Sequence, residues 1–493
     1  MSGLTFMAFD LGAESGRAFV GRLEGEKLAM TEVHRFANEP VLLPDGLHWD
    51  FLRLCHEIEA GLTKAGREHG REFDGIAVDT WGVDFGLLGK DDVLLGEPYH
   101  YRDHRTDGIL PEAFRLVPRE EIYARTGIQF MPINTLYQLL AMRLAGSPLL
   151  EMARALLFIP DLFTFFLSGV KVNEFTIATT SQCLDVANRV WAGDLLARFG
   201  LPVEIFGRIV EAGTPVGPLR ASLSSSTGVT GQVIAGAAHD TAAAVAAIPA
   251  TDPDFAYISC GTWSLVGVEI SRPLIDARAL AADLTNEGGV AGTIRLLKNV
   301  MGLWLVQECR RSWVRAGRDY DYAALTALAA EAPAFKMLFD PDNSEFLNPP
   351  DMPSAIAAYA ARTGQAIPGT VGEFVRAALE SLALKYRFVL ETLEKVLDRR
   401  IPVVHVVGGG TKNELLCRFT AEATGRPVIA GPVEATAAGN LLVQAMALGR
   451  LGGLDDIRRI VRASFPLRTY TPSDTGAWEE AYGRFLDLVS SSG

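Results

Sequence analysis

Apolar residues near the start of the chain fall in short runs separated by turns. The segments Thr5–Asp10, Ala18–Arg22 and Leu28–Phe36 are predicted strands, and the short glycine-containing turns between them favour antiparallel neighbours. Asp50–Glu68 instead has its apolar residues at helical spacing, and Gly75–Asp79 follows as an apolar strand. This order is typical of the opening of an RNase H or actin-like α/β unit and differs from the regular β–α–β alternation of a Rossmann domain.

The same order of elements returns in the second half of the chain. Strands, a long helix and a final strand are predicted over Phe255–Ser259, Ser264–Ile270, Thr293–Leu297, Val371–Leu397 and Val403–Val407. The connector Ala250–Asp254 separates the two halves. The predicted fold class is therefore α/β, with two RNase H/actin-like domains, residues 1–249 and 250–493, that enclose a central cleft.

Composition and charge limit the ligands and the compartment. The chain has 493 residues, enough for two or three domains, and its net charge of −13 argues against nucleic acid or an anionic membrane as a partner. The apolar stretch Ala153–Val170 contains Pro160 and Asp161, so we predict a buried helix rather than a membrane span. No secretory signal pattern opens the chain, and the five cysteines form no Cys-x-x-Cys pair, which favours a soluble cytoplasmic protein.

Two predicted turns contain residues suited to phosphate binding. In the first, Asp10 ends a strand and precedes small residues, so that its carboxylate can hold a Mg²⁺-bound water while backbone amides contact phosphate oxygens. The second turn, Cys260–Ser264, stands at the equivalent place in the repeat, and Thr262 offers a hydroxyl there. Each turn alone is also compatible with an ordinary hairpin. As a pair they predict a phosphate clamp.

A third glycine-rich segment follows the predicted strand Val403–Val407. Three consecutive glycines, Gly408 to Gly410, precede a predicted helix, and such a turn can hold an adenosine at a helix N-terminus. A tight strand-to-helix turn is the alternative. The segment matches neither the dinucleotide-binding glycine pattern nor a P-loop, so Walker-type chemistry is excluded.

Two further residues are candidates for sugar chemistry. Asp240 opens a small-residue helix, where an acidic residue is a natural N-cap, but it also lies just before the predicted domain boundary. There its carboxylate is placed to take the proton of a sugar hydroxyl as that oxygen attacks a γ-phosphate. Trp81, in the segment Asp79–Phe85, offers a face for a sugar ring, with a buried core tryptophan as the alternative.

With these motifs the chain resembles the FGGY family of carbohydrate kinases over nearly its whole length. The matching segments are Ala8–Arg17, Asp79–Phe85, Tyr101–Asp103, Gly127–Phe130, Asn134–Leu139, His239–Ala242, Ser259–Leu265, Thr285–Gly289, Leu297–Leu305 and Ala430–Ala435. Asp79–Phe85 and Leu297–Leu305 are typical of the branch that phosphorylates L-rhamnulose. The resemblance implies transfer of the ATP γ-phosphoryl to the 1-hydroxyl of that sugar, with Mg²⁺, in L-rhamnose catabolism.

The resemblance also implies a role for each matching residue. Asp240 is expected to be the general base, and Asp10 to help hold Mg²⁺ through water. The expected sugar contacts are Gly82, His239, Thr241 and Asn299, together with Trp81. The expected ATP contacts are Ala13, Glu14, Ser15, Gly16, Arg17, Thr262, Gln307, Gly409 and Gly410. The chain departs from the family at Ile177, where many relatives have an asparagine near the sugar.

Two alternatives remain open from the sequence. The first is a kinase for another ketose or polyol, such as L-fuculose. The second, from a different class, is a non-catalytic actin-like nucleotide switch, although no appended client-binding domain is present to support it. A monomer or a homodimer is expected, with a small-molecule sugar and ATP as the ligands.

Overall fold

The computed structural model describes residues 3–490 of the chain. Contacts within the chain define two compact units. Unit 1 comprises Met1–Pro249, Glu269–Leu296 and Ala435–Phe465, and unit 2 comprises Ala250–Val268, Leu297–Glu434 and Pro466–Gly493. The first boundary lies between Pro249 and Ala250. Two segments of the second half nevertheless belong to unit 1, so each unit is built from three separate pieces of chain.

The described part of the chain, residues 3–490, contains both strands and α-helices throughout its length. The strands are β1 (Leu4–Leu11), β2 (Ser15–Glu24), β3 (Lys27–Ala37), β4 (Pro40–Leu43), β5 (Gly46–Trp49), β6 (Glu72–Thr80), β7 (Phe85–Leu88), β8 (Ala155–Phe158), β9 (Asn173–Glu174), β10 (Leu184–Asp185), β11 (Val190–Trp191), β12 (Ile209–Val210), β13 (Thr214–Pro218), β14 (Thr230–Ala235), β15 (Ala256–Cys260), β16 (Trp263–Ile270), β17 (Thr285–Gly288), β18 (Ile294–Met301), β19 (Val404–Val407), β20 (Val428–Ala430) and β21 (Arg468–Tyr470). The α-helices are α1 (Phe51–His69), α2 (Ile109–Leu116), α3 (Arg119–Thr126), α4 (Thr135–Leu144), α5 (Pro148–Met152), α6 (Ile159–Ser168), α7 (Phe175–Ala178), α8 (Gly193–Arg198), α9 (Ala221–Thr227), α10 (Asp240–Ala246), α11 (Ala277–Ala281), α12 (Trp304–Arg315), α13 (Tyr322–Glu331), α14 (Met352–Arg362), α15 (Val371–Leu397), α16 (Glu414–Thr424), α17 (Ala435–Ala447), α18 (Leu454–Ser464) and α19 (Gly476–Ser490).

Unit 1 is organised on a six-stranded sheet with the order β13-β14-β6-β1-β2-β3. Strand β1 is antiparallel to β2 and parallel to β6, and their register places Asp10 opposite Asp79. Because the carboxyl ends of parallel strands meet at one edge of a sheet, these two aspartates are neighbours there. Apolar residues of α1, such as Ile58 and Leu62, are fully buried in the same core as Phe9 of β1.

In unit 2 the neighbouring strands of the sheet are, in order, β18, β16, β15, β19, β20 and β21. Strand β15 is antiparallel to β16 and parallel to β19. The 27-residue helix α15 has most of its apolar residues buried, as the helical spacing of the sequence requires. Each unit thus has the mixed α/β character that the sequence predicted.

The long periodic elements are confirmed. The three opening strands, α1 and α15 lie where they were predicted, with α15 matching the predicted bounds. The single helix predicted over Ala153–Val170 is wrong, because β8 occupies its first part and only α6 is helical. A short apolar run does not separate a strand from a helix, and Pro160 lies in the first turn of α6, where proline is tolerated.

Helices long and apolar enough to cross a bilayer are absent from residues 3–490.

Candidate active site

The first phosphate-binding candidate is the turn between β1 and β2. The Gly12 amide donates to the Ser15 carbonyl at 2.9 Å, and Asn38 closes the turn by donating its Nδ2 to the Gly12 carbonyl at 2.9 Å. Asp10 is 5% exposed and accepts a bond from Nη2 of Arg17 at 2.5 Å. The structure therefore pairs the predicted metal residue with a predicted ATP residue. The other predicted ATP residues of this segment form the turn and its exit, namely Ala13, Glu14, Ser15 and Gly16.

Beside Asp10 lies a second carboxylate that is fully buried. Oδ2 of Asp79 accepts a bond from Nδ2 of Asn440 at 2.6 Å, whereas Oδ1 has no hydrogen-bond partner within residues 3–490. Burial raises the pKa of Asp79 well above its usual range, and the charges of Asp10 and Asp240 add to this, while the Asn440 bond opposes it. Asp10 and Asp240 are thus both within electrostatic reach of Asp79 in unit 1.

Asp240 itself begins α10. Its Oδ1 accepts bonds from the amide of Thr241 at 2.5 Å and from the Thr241 hydroxyl at 3.1 Å. Oδ2 has no hydrogen-bond partner in the described chain, and the side chain is 30% exposed. One oxygen is therefore held in place while the other is available to a ligand, which is the arrangement that a general base requires.

His239 precedes Asp240 and is held by a buried ion pair. Its Nδ1 is 2.9 Å from Nη2 of Arg295, and its Nε2 is 3.4 Å from Oδ1 of Asp240. Arg295 is fully buried and pairs with Oε2 of Glu287 at 3.1 Å. Neither Arg295 nor Glu287 was among the predicted site residues, and the only sequence signal for Arg295 was a charge inside an otherwise apolar strand.

A further buried carboxylate, Glu174, holds the segment that contains Ala238 and His239. Oε2 of Glu174 accepts bonds from the Thr176 amide at 2.9 Å, the Thr176 hydroxyl at 2.5 Å and the Ala238 amide at 3.3 Å. The Thr176 hydroxyl in turn accepts a bond from the His239 amide at 3.1 Å. Burial raises the pKa of Glu174 to about 7, against the effect of these donors. Ile177 is fully buried, so its side chain is not placed to replace the asparagine of the relatives as a sugar contact.

Trp81 lies in a buried cluster centred on Asp84. Oδ2 of Asp84 accepts bonds from the indole N–H of Trp49 at 2.7 Å and of Trp81 at 3.0 Å, and Oδ1 accepts one from Gln138 at 2.9 Å. The two indole rings pack with centroids 4.0 Å apart. Only 6% of Trp81 is exposed, so its role as a sugar contact stays a prediction with little of the ring free for a ligand. The adjacent Gly82 is half-buried.

Replacing Asp84 by asparagine should destabilise unit 1 by about 1–3 kcal/mol, because the amide puts a donor where donors already converge. A fall in the melting temperature by calorimetry would show this. Asp107, an exposed aspartate of the same unit with a side chain 74% accessible, is the matched control, and Asp107→Asn should leave the melting temperature unchanged. Equal melting temperatures for the parent and Asp84→Asn would contradict the importance of this cluster.

The predicted ATP residues of unit 2 lie at two glycine-containing turns. The Thr262 carbonyl, between β15 and β16, accepts bonds from the Gly302 and Trp304 amides at 3.1 and 3.2 Å, which fixes the start of α12. One turn along α12, Oε1 of Gln307 is buried without a hydrogen-bond partner in the described chain, which leaves it an acceptor for a ligand donor.

The second turn follows β19. Gly408 has φ = 83°, a left-handed conformation that favours glycine. Gly410 packs against Cys260 of β15, whereas a side chain added at Gly409 would meet no atom within 4 Å. Asn299 is half-buried on β18 in unit 2, apart along the chain from the sugar candidates of unit 1.

Comparisons with known proteins identify the family of the chain. Residues 5–247 match the N-terminal domain, and residues 256–448 the C-terminal domain, of the FGGY family of carbohydrate kinases. Among curated proteins, the chain is 45% identical to a rhamnulokinase of Bacteroides thetaiotaomicron over 98% of this chain and 99% of the relative. A rhamnulokinase of Oceanobacillus iheyensis is 40% identical over 94% and 97%.

Among solved structures, a ligand-bound xylulose kinase from Lactobacillus acidophilus superposes with a TM-score of 0.81 at 16% identity, covering 99% of this chain and 98% of that one. At this identity the match shows the fold alone. The family match covers most of the chain, and the curated relatives extend over nearly all of it. The chain therefore belongs to the FGGY family of carbohydrate kinases.

Proposed function

We propose that this carbohydrate kinase transfers the γ-phosphoryl group of ATP to the 1-hydroxyl of L-rhamnulose, giving L-rhamnulose 1-phosphate and ADP. The substrate rests on the curated rhamnulokinases, which are 40 to 45% identical over nearly the whole chain. These relatives support neither an L-fuculose kinase nor a nucleotide switch. The structural observation that carries the proposal is the Asp240 carboxylate, with one oxygen held by Thr241 and the other without a hydrogen-bond partner among residues 3–490.

In the proposed reaction Asp240 takes the proton of the attacking hydroxyl. The new O–P bond forms as the bond between the γ-phosphorus and the ADP oxygen breaks, so little covalent chemistry is left to the protein. Most of the rate should come from positioning. His239, Thr241, Gly82 and Asn299 are the proposed sugar contacts. Thr262, Gln307 and the Gly409–Gly410 segment are proposed ATP contacts in unit 2.

A Mg²⁺ ion fits the residues present near Asp10. Within residues 3–490 no cluster of three or more His, Cys, Asp or Glu side chains is arranged to hold a metal ion. Mg²⁺ in phosphoryl-transfer sites is commonly held by one or two carboxylates together with phosphate oxygens and water. Asp10, beside Oδ1 of Asp79, which has no hydrogen-bond partner in the described part of the chain, satisfies that requirement. The ion would neutralise charge on the transferred group, and Arg17 would keep the Asp10 carboxylate oriented.

We further propose a cytoplasmic location, since ATP is supplied there and all five cysteines are buried free thiols.

The test of the substrate is ADP release with Mg-ATP against L-rhamnulose, L-fuculose, L-ribulose, D-xylulose and glycerol. We expect L-rhamnulose to give the highest kcat/KM. A higher value for another acceptor would overturn the substrate while leaving the kinase assignment intact. If no acceptor stimulated ADP release, the result would contradict the proposed kinase activity and favour a nucleotide switch.

A further inference from the structure

We infer that Arg295 is a positioning residue, which holds His239 in its Nε2–H tautomer and so assigns separate roles to the two oxygens of Asp240. Oδ1 accepts structural hydrogen bonds, and Oδ2 receives the proton of the sugar hydroxyl. This inference deepens the proposed function and rests on Asp240 being the base.

The argument begins with the chemistry of the guanidinium group. Arginine has only donors and stays charged, so a nitrogen 2.9 Å from Nη2 of Arg295 must present a lone pair. Nδ1 of His239 is that nitrogen. Oε2 of Glu287 is also near Nδ1, but at 3.4 Å, and it lies closer to Arg295, at 3.1 Å. A proton on Nδ1 would point at an N–H of Arg295. The proton of the neutral ring is therefore on Nε2.

The tautomer of His239 determines which ring atom faces the Asp240 carboxylate, an N–H or a lone pair. Nε2–H lies 3.4 Å from Oδ1, which is longer than an ordinary hydrogen bond, so it acts electrostatically on the oxygen that accepts hydrogen bonds from the Thr241 amide and hydroxyl. Hydrogen bonds to one carboxylate oxygen stabilise its negative charge and make it the poorer proton acceptor. Oδ2, without such donors, is left to take the proton when the O–H bond of the sugar breaks. Nε2–H is then also available as a donor to the sugar itself.

Arg295 is immobile enough to enforce this arrangement. It is fully buried, its Nε donates to the Gly288 carbonyl at 2.8 Å, and its charge is balanced by Glu287, which is 4% exposed. A buried and hydrogen-bonded ion pair of this kind fixes geometry more than it adds stability. The charged groups around the His239 ring are thus Asp240, Glu287 and Arg295, and Glu174 lies behind its backbone.

The direct test is nitrogen NMR of protein labelled with ¹⁵N-histidine. The chain has eight histidines, and the signals of His239 are those that disappear in His239→Gln. We expect Nδ1 of His239 to have the shift of an unprotonated nitrogen and Nε2 that of a protonated one. A protonated Nδ1, alone or together with Nε2, would overturn the inference. This measurement needs no turnover, so it stands apart from any failure of the proposed substrate or base.

A kinetic test asks whether Arg295 acts through His239. Removing both charges of the pair, in Arg295→Met with Glu287→Gln, avoids leaving one buried charge unpaired. We expect kcat to fall roughly tenfold or more, with the KM for ATP unchanged. In a His239→Gln background the same pair of changes should have almost no further effect on kcat. An equal loss in both backgrounds would overturn the inference.

The matched control is a second ion pair, Arg426 and Glu394 in unit 2, which is partly buried and has its charged atoms 2.6 Å apart. Arg426→Met with Glu394→Gln should lower the melting temperature by a similar amount but give kcat losses that are independent of the residue at position 239. A non-additive coupling of this control pair to His239→Gln would mean that the kinetic cycle reports general stability, and it would remove the kinetic support for Arg295.

Discussion

The Asp240→Asn variant is expected to lose turnover by about 10²–10⁴-fold while binding ATP with unchanged affinity. Asparagine has nearly the same shape and keeps an oxygen for the Thr241 amide, which is bonded to Oδ1 at 2.5 Å in the parent. It has no oxygen left that accepts a proton at neutral pH. The measurement is ADP release at saturating L-rhamnulose and Mg-ATP, with ATP affinity determined separately by calorimetry.

Asp107→Asn serves as the control for loss of a carboxylate from unit 1, because this residue is exposed and pairs with the exposed His104. The control should retain full activity. If Asp240→Asn kept near-normal turnover, Asp240 would no longer be the base, and Asp79 would be the remaining carboxylate to examine. If ATP binding also failed, the change would have disturbed more than proton transfer, and the catalytic assignment would lose its support.

The second large effect is expected from a single added methyl group in Gly439→Ala. A Cβ at Gly439 of α17 would lie 1.8 Å from the carbonyl oxygen of Ala243 in α10, and both atoms are buried. The neighbour is backbone, so it has no rotamer change with which to relieve the overlap. We expect the two helices to be forced apart at a cost of about 3 kcal/mol, with a fall in melting temperature of several degrees. Since α10 begins at Asp240, kcat should fall as well.

A glycine-to-alanine change inside a helix usually raises stability, whereas Gly439→Ala is expected to lower it. A control at a second helical glycine therefore tests the overlap with Ala243. Gly483 lies within the exposed face of α19, and a side chain added there would meet no atom within 4 Å. Gly483→Ala should raise the stability of its helix by up to about 1 kcal/mol, as alanine normally does in place of glycine. If Gly439→Ala were as stable as the parent, the close approach of α10 and α17 would be unimportant to the fold.

The sequence predicted most of the fold because its signals were local. The alternation in β1 to β3 and the long apolar stripe of α15 were readable within single segments. The environment of Trp81 could not be predicted in this way. Nothing in its own segment distinguishes a ring that faces a sugar from one whose N–H donates to Asp84 and whose face packs on Trp49. The helix wrongly predicted over Ala153–Val170 failed for the related reason that a four-residue apolar run fits either structure.

The residues that surround the candidate base Asp240 could not be predicted from single segments for a different reason. His239 precedes α10, Glu287 lies in β17 and Arg295 in β18, and only the folded chain brings the guanidinium to the imidazole. Asn440 and Gln444, one turn apart in the apolar helix α17, were a usable signal that was missed. Polar residues at that spacing on a buried helix face indicate partners elsewhere, and here these are Asp79 and the Met7 carbonyl.

Those two contacts of α17 have a consequence for biosynthesis. They join residues separated by 361 and 437 positions, so the core of unit 1 lacks them until the end of the chain has left the ribosome. Until then, Asp79 of β6 and the Met7 carbonyl of β1 lack these hydrogen-bond donors, and the apolar face of the sheet that α17 covers is exposed. Contacts of such long sequence separation slow folding and prolong exposure to aggregation. The nascent N-terminal half is therefore expected to depend on chaperones, and cells should recover full-length chain more readily in soluble form than a fragment that stops at residue 249.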